Sequence, residues 1–223
     1  MPGYLVKNEC IAVAGVADIH IRSLLDRQQF ADPLGEAEAL GISSATWPLF
    51  GLLWPSGLQL AQYMANRPLR SGERVLEIGC GLALASLIVH RQGVDVTASD
   101  CHPMASTFLK KNLILNALPP MPYTLGNWSQ LAPSGIDGRF DLIMGSDVLY
   151  ERDDDGILPL FIEHHAHATA EVLIIDPDRG NRPAFSRRMQ AMGFDLIQTT
   201  LSALPDGIAY KGRLLHYKRV GLN

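Results

Sequence analysis

Residues 74–83 read RVLEIGCGLA, and the fold follows from how this stretch is punctuated. Arg74 to Cys80 is a short apolar run of the length of a buried strand. Gly79 and Gly81 then let the backbone turn sharply. Ala83 to Gln92 continues as an apolar, helix-like segment closed by Gly93. The next run, VDVTASD at 94–100, is a second strand, and Pro103–Asn116 a helix with Pro in a favoured early position. Tyr123–Trp128 reads as a short third strand, Phe140–Val148 as a fourth, and Gly156–Ala168 as a helix. Glu171–Asp176 is a fifth strand, Pro183–Met192 a helix stopped by Gly193, Phe194–Leu201 a sixth strand and Tyr210–Arg219 a seventh.

Strands alternating with helices at this spacing build βαβ units. The expected architecture is α/β: a Rossmann-like, seven-stranded, mostly parallel sheet with helices on both faces. Ligands of such sheets bind beyond the carboxyl ends of the strands, so the residues just after each strand are where chemistry is expected. Residues 1–70 read differently. Tyr4–Val16 and Asp18–Arg22 suit a small antiparallel hairpin, followed by the Trp- and Gly-rich WPLFGLLWPSG at 47–57 and a helix over Leu58–Asn66. This is taken as a small N-terminal extension covering the site, with residues 71–223 as the core of one structural domain.

The bulk numbers set limits on function. The chain has 223 residues, 47% hydrophobic and 19% charged, enough apolar material for a sizeable core. The net charge of −4 and the lack of a Lys/Arg run favour a protein or small-molecule substrate over nucleic acid. Cys10, Cys80 and Cys101 form no CxxC pair, so neither a zinc cluster nor a disulfide framework is expected. No apolar run approaches the roughly 18 residues of a membrane span, and residues 1–16 lack the apolar segment of a signal peptide. A soluble cytoplasmic protein with no membrane partner, a monomer by default, is the expectation.

The Gly79-Cys80-Gly81 turn sits between a strand and a helix, with Asp100 at the end of the next strand. A carboxylate there can accept hydrogen bonds from both hydroxyls of a ribose. Dinucleotides and S-adenosylmethionine (AdoMet) both use this layout. Glu77, just before the first glycine, favours AdoMet, because a carboxylate near the loop repels a pyrophosphate and suits a cationic amino group.

WPSG at 54–57, LEIGCGLALASL at 76–87, TASD at 97–100, FLKKNLILN at 108–116, Asn127-Trp128 and FDLIMGSDVLY at 140–150 together resemble the seven-β-strand protein lysine methyltransferases, family 16. That group includes the enzymes acting on valosin-containing protein, heat-shock protein and the electron-transfer-flavoprotein β subunit. The resemblance spans about Trp47 to Tyr150 and weakens beyond. It implies AdoMet as cofactor, with Trp54 against it from the N-terminal side and Gly79, Cys80 and Gly81 beneath its methionine part. It further implies Asp100 on the ribose, Asn127 and Trp128 at the adenine, and Ser146 beside the reaction centre. Asp147 and Tyr150 form an Asp-x-x-Tyr pair near the entering amine, the expected catalytic residues. Ala83 departs from the family's usual Gly, and Asn127 stands where some members have Asp. Read on their own, Trp54 and Trp128 also suit a core, and Asp147 and Tyr150 also suit a cap on the following segment.

Two further features stand apart. Asp176-Pro177-Asp178-Arg179 follows the fifth strand, at the ligand edge, where Arg179 can bind a substrate carboxylate or simply shape a loop. His164, His165 and His167 are clustered, but 164 and 167 alone make a poor metal site, and no metal is expected. The expected function is N-methylation of protein lysine side chains. The alternatives are a small-molecule N-methyltransferase of the nicotinamide type and an AdoMet-binding interaction protein without catalysis. Ser146-Asp147-Val148-Leu149-Tyr150 stands where adenine and glutamine N-methyltransferases carry Asn/Asp-Pro-Pro-Tyr/Phe.

Overall fold

A computed structural model describes residues 3–126, 128 and 135–221. Seven strands form the main sheet: β3 (Arg74–Ile78), β4 (Asp95–Asp100), β5 (Tyr123–Leu125), β6 (Phe140–Ser146), β7 (Ala166–Asp176), β8 (Asp195–Ala203) and β9 (Ala209–Arg219). Their order across the sheet is β5-β4-β3-β6-β7-β9-β8. The first five run parallel; β9 is antiparallel to both β7 and β8. From β3 the chain goes first to β4 on one side and later to β6 on the other. The switch in strand order therefore lies at β3, and the crevice above its carboxyl end is where such sheets bind ligands.

The central strands alternate between two cores, as strand geometry dictates. Val75, Leu142, Met144, Leu173 and Ile175 face one core, shared with α2 (Pro55–Asn66), α3 (Leu84–Arg91) and α4 (Ala105–Leu115). Leu76, Ile143, Val172 and Ile174 face the other, shared with α5 (Ile157–His165) and α6 (Arg182–Ala191). Burial on both faces explains why these strands read as continuous apolar runs. α3 ends with His90 and Arg91 in its last turn, favourable at the negative end of the helix dipole, and Gly93 takes φ +79° just beyond.

The N-terminal region is a hairpin of β1 (Val6–Ile11) and β2 (Ile19–Leu24), a one-turn helix α1 (Glu36–Ala39) and a 3-10 turn at Trp47–Gly51. The hairpin is docked on α4 by two asparagines. Asn112 Oδ1 accepts the Arg22 amide at 2.8 Å, and Asn116 brackets His20 by accepting its N–H at 2.9 Å and donating to its C=O at 2.7 Å. Ile19, Ile21 and Leu24 are fully buried in the α2–α4 core. α2 itself packs on α3, β6 and β7 as one of the sandwich helices. Residues 55–66 thus belong to the core layer, and the covering part of the N-terminal region is what precedes them.

Several element ends differ from the sequence reading: α2 starts at Pro55 rather than Leu58, and the hairpin strands are Val6–Ile11 and Ile19–Leu24. β5 ends at Leu125, short of Trp128. The helix expected to reach Ala168 stops at His165, and β7 begins at Ala166 with no loop between. The stretch AHATA at 166–170 carries little apolar signal, and three of its residues are exposed.

Candidate functional site

The site is built above the carboxyl ends of β3, β4, β6 and β7. Gly79, Gly81 and Ala83 all take left-handed backbone conformations, at φ +58°, +51° and +58°. At Gly81 a side chain is excluded twice, because a Cβ there would also lie 2.9 Å from the Phe50 carbonyl oxygen of the 3-10 turn. Ala83, fully buried, tolerates the conformation at a cost of about 1 kcal/mol or more. Cys80 is buried, and its N–H donates to the Ser99 carbonyl at 3.0 Å.

Asp100 closes this loop onto β4. Its Oδ2 accepts the Gly81 N–H and its Oδ1 the His102 N–H, each at 2.8 Å. Burial pushes its pKa up, opposed by amide hydrogen bonds from His102, Gly81 and Cys101. An ionised carboxylate offers about four acceptor positions, so acceptor capacity remains beside these amides for a ribose hydroxyl. His102 stacks on Phe50 with ring centres 3.8 Å apart, and Trp47 meets both rings edge-on. This aromatic cluster clamps the N-terminal region over the loop.

Glu77 has a different place from the one its charge suggested. Its position in β3 turns it to the α3 side, where Oε2 accepts the Ser86 N–H at 2.9 Å and the Ser86 hydroxyl. It is 3% exposed, and burial raises its pKa to about 7 against the pull of Ser86. Ser86 N–H is one of the unpaired donors at the start of α3. Glu77 therefore occupies from within the helix end that a pyrophosphate would need. This geometry disfavours a dinucleotide, and it leaves Glu77 Oε2 engaged by the chain itself.

Trp128 is half-buried, with its ring edge 3.3 Å from where a Cβ on Gly79 would lie. It lines a cavity of about 720 Å³ together with Val148 and Tyr150. Asn127 lies outside the described residues. Ser146 ends β6, its Oγ 3.7 Å from a Cβ built on Gly57, so strand and α2 approach closely there. Trp54 precedes α2; its indole N–H donates to the Leu49 carbonyl at 2.8 Å, and the Arg27 guanidinium lies 5.0 Å from its ring centre. It is half-buried, in the wall of a second cavity of about 810 Å³.

That second cavity also holds Asp147, which takes φ +56° directly after β6. Both carboxylate oxygens are engaged: Arg179 Nε meets Oδ1 at 2.5 Å and Nη2 meets Oδ2 at 2.7 Å. Arg179, expected to await a substrate carboxylate or shape a loop, is thus the partner of Asp147. Tyr150, half exposed, turns instead to the first cavity. Asp147 thus lines the second cavity and Tyr150 the first. Burial raises the Tyr150 pKa, and Tyr150 lies near enough to Asp147 for that charge to raise it further. Tyr210 completes the second cavity, its hydroxyl 2.8 Å from Ser56 Oγ. Neither residue was singled out in the sequence. The available signal was topological: if the last strand runs antiparallel, its first residues lie at the ligand edge.

Of the clustered histidines, His164 and His165 meet edge-on with ring centres 4.8 Å apart at the end of α5. His165 is buried against Phe161 with Nδ1 at 3.3 Å from the Gly138 carbonyl oxygen, and His167 lies on β7. The donor set around the glycine loop fits AdoMet: Asp100 can take a ribose, and Glu77 fills the helix end. The cavity beyond can admit a methyl acceptor.

A profile described as lysine methyltransferase matches residues 44–188. The electron transfer flavoprotein β subunit lysine methyltransferase of Mus musculus is 29% identical over 207 residues, covering 90% of this chain and 76% of that protein. The histone-arginine methyltransferase METTL23 of Xenopus laevis is 31% identical over 106 residues, 46% of this chain and 45% of that one. Among solved structures, the magnesium protoporphyrin IX methyltransferase of Synechocystis PCC 6803 with bound SAM has a TM-score of 0.58 at 17% identity, over 74% of this chain and 80% of that chain, a likeness of fold. Matched by the profile from the 3-10 turn into α6 and by a single member over 90% of its length, the chain belongs to the lysine methyltransferase family of AdoMet-dependent enzymes.

Proposed function

We propose that the protein transfers methyl groups from AdoMet to lysine side-chain amines of a protein substrate. The observation that carries this reading is the cavity at Asp147. It opens at the residue directly after β6, and its walls include Trp54, Ser56, Arg179 and Tyr210. An aliphatic stem can lie on the Trp54 ring while an amine meets oxygen acceptors at the far end.

When bound, AdoMet supplies a methyl group already activated by its sulfonium. What remains for the chain is placement. Asp100 and the Gly79–Gly81 loop fix the cofactor end, and Asp147 fixes the acceptor end. Alignment of this kind is worth several orders of magnitude in rate. The acceptor must also arrive as a neutral amine, which removal from water favours. The relative in Mus musculus, by its name, acts on lysine of the electron transfer flavoprotein β subunit, and a protein of that type is the first substrate to try. The three free thiols favour a reducing compartment, the cytoplasm, and we take the monomer as the working unit.

The test is incubation of labelled AdoMet with extract of cells lacking the protein, followed by electrophoresis and acid hydrolysis. A labelled protein band that yields methyl-lysine is expected. Label confined to small molecules would replace this reading with the small-molecule one. No label, with AdoMet binding intact, would leave a binding protein.

A further inference from the structure

Asp147 faces the acceptor cavity, yet both of its oxygens are taken by one guanidinium in a two-pronged pair. A guanidinium acceptor is recognised by a carboxylate through the same two prongs. That face is already occupied. An ammonium or amine is compact and needs only one of the lone pairs that Arg179 leaves open. We propose that Arg179 is the positioning residue that makes the acceptor site select amines over guanidines and keeps the bound amine neutral. This rests on the lysine reading above.

The second half of the proposal follows from charge. An unpaired carboxylate beside the acceptor would stabilise it as an ammonium, which has no lone pair to attack with. The Arg179 cation cancels that effect and disfavours a second cation nearby. Arg179 in turn has its own pKa raised by the Asp147 hydrogen bond. The remaining charges facing the cavity are balanced. Glu9, Asp26 and Asp147 stand against Lys7, Arg27 and Arg179. Lys7 and Glu9 pair at 3.0 Å, Asp26 accepts from Gln28 and Gln29, and Arg27 lies over Trp54. Burial raises the Tyr210 pKa, and it also raises that of Asp176, a fully buried carboxyl near enough to act on Arg179. Loss of Arg179 alone leaves the wall with one excess negative charge.

Two variants test this, Arg179→Gln and Arg179→Lys, with AdoMet affinity measured by calorimetry and stability by thermal melting. The probe is extract of cells lacking the protein, and initial rates of label transfer are taken from pH 6 to 10. Wild-type enzyme is expected to yield methyl-lysine, with a rate that rises as the acceptor loses its proton. In Arg179→Gln that rising limb moves up by about one pH unit, since one charge a few ångströms away is worth about that much. Below the limb the rate falls about tenfold, with AdoMet affinity unchanged. Arg179→Lys keeps the charge and returns the limb to within a few tenths of a unit. It also opens one prong of Asp147, so methylarginine above the wild-type level is expected. An unmoved limb in Arg179→Gln, or a shifted limb in Arg179→Lys, overturns the proposal while lysine methylation itself stands. Wild-type label on arginine, or on no protein, overturns the lysine reading and this inference together.

Discussion

Replacing Glu77 with Gln separates a helix clasp from a cofactor ligand. Gln keeps a carbonyl oxygen for the Ser86 N–H and hydroxyl and removes the charge. In the folded protein burial holds the Glu77 pKa at about 7, against 4.5 ordinarily. An acid whose pKa is raised on folding contributes stability that is fully present below the unfolded value and is lost as pH rises through the folded one. The window is therefore about pH 4.5 to 7.5. Between pH 5 and pH 8 the shift amounts to about 2–3 kcal/mol, at about 1.4 kcal/mol per pH unit. Urea unfolding of both proteins across this range reads the effect. The stability of Glu77→Gln relative to wild type should rise by about that amount on going from pH 5 to pH 8. Taking the difference between the two proteins removes the other titrating groups. AdoMet affinity of the variant should stay within about threefold, because the clasp does not touch the cofactor. A flat difference across pH, or a tenfold loss of affinity at unchanged stability, would mean that Glu77 reaches the cofactor and the clasp is incidental.

Asp100→Asn should lower AdoMet affinity by about 1.5–3 kcal/mol, the worth of a hydrogen bond to a charged acceptor, in a calorimetric titration of the folded variant; unchanged affinity would remove the ribose assignment. Asp147→Asn keeps a side chain that tolerates a left-handed backbone and leaves AdoMet binding intact. It should reduce turnover about 10²-fold or more if the residue orients the acceptor, and wild-type turnover would take it out of the site. Trp47→Ala removes a ring that is 1% exposed and touches Phe50 and His102. A loss of about 3–5 kcal/mol in urea unfolding is expected, and a loss below 1 kcal/mol would mean that the aromatic cluster does not hold the cover.

The sheet was legible because its central strands are buried on both faces. Val75 to Ile78, Leu142 to Met144 and Val172 to Ile175 leave no alternation to misread. The start of β7 was not, because the exposed His167, Ala168 and Thr169 carry neither strand nor helix period. In the site, the glycine loop and Asp100 lie close in sequence, and their geometry follows from local turn chemistry. The bond from Ser86 to Glu77 was not anticipated, though its direction was readable. The same alternation that turns Val75 toward α3 turns Glu77 there too, and Ser86 waits three residues after the αL residue that opens the helix. The pairing of Asp147 with Arg179 spans 32 residues and that of Ser56 with Tyr210 spans 154. No local pattern announces either; both are set by which strand ends the topology brings to one edge.

The hydroxyl pair between Ser56 and Tyr210 also has a meaning for how the molecule is made. It joins the first core helix to the last strand, so the acceptor cavity cannot close until residue 210 has left the ribosome and β9 has inserted between β7 and β8. Contacts of such long sequence separation form late and slowly. The glycine loop with Asp100, only 19 residues apart, can take shape much earlier. On a growing chain the loop that fits the cofactor can therefore form before the cavity at Asp147 is complete.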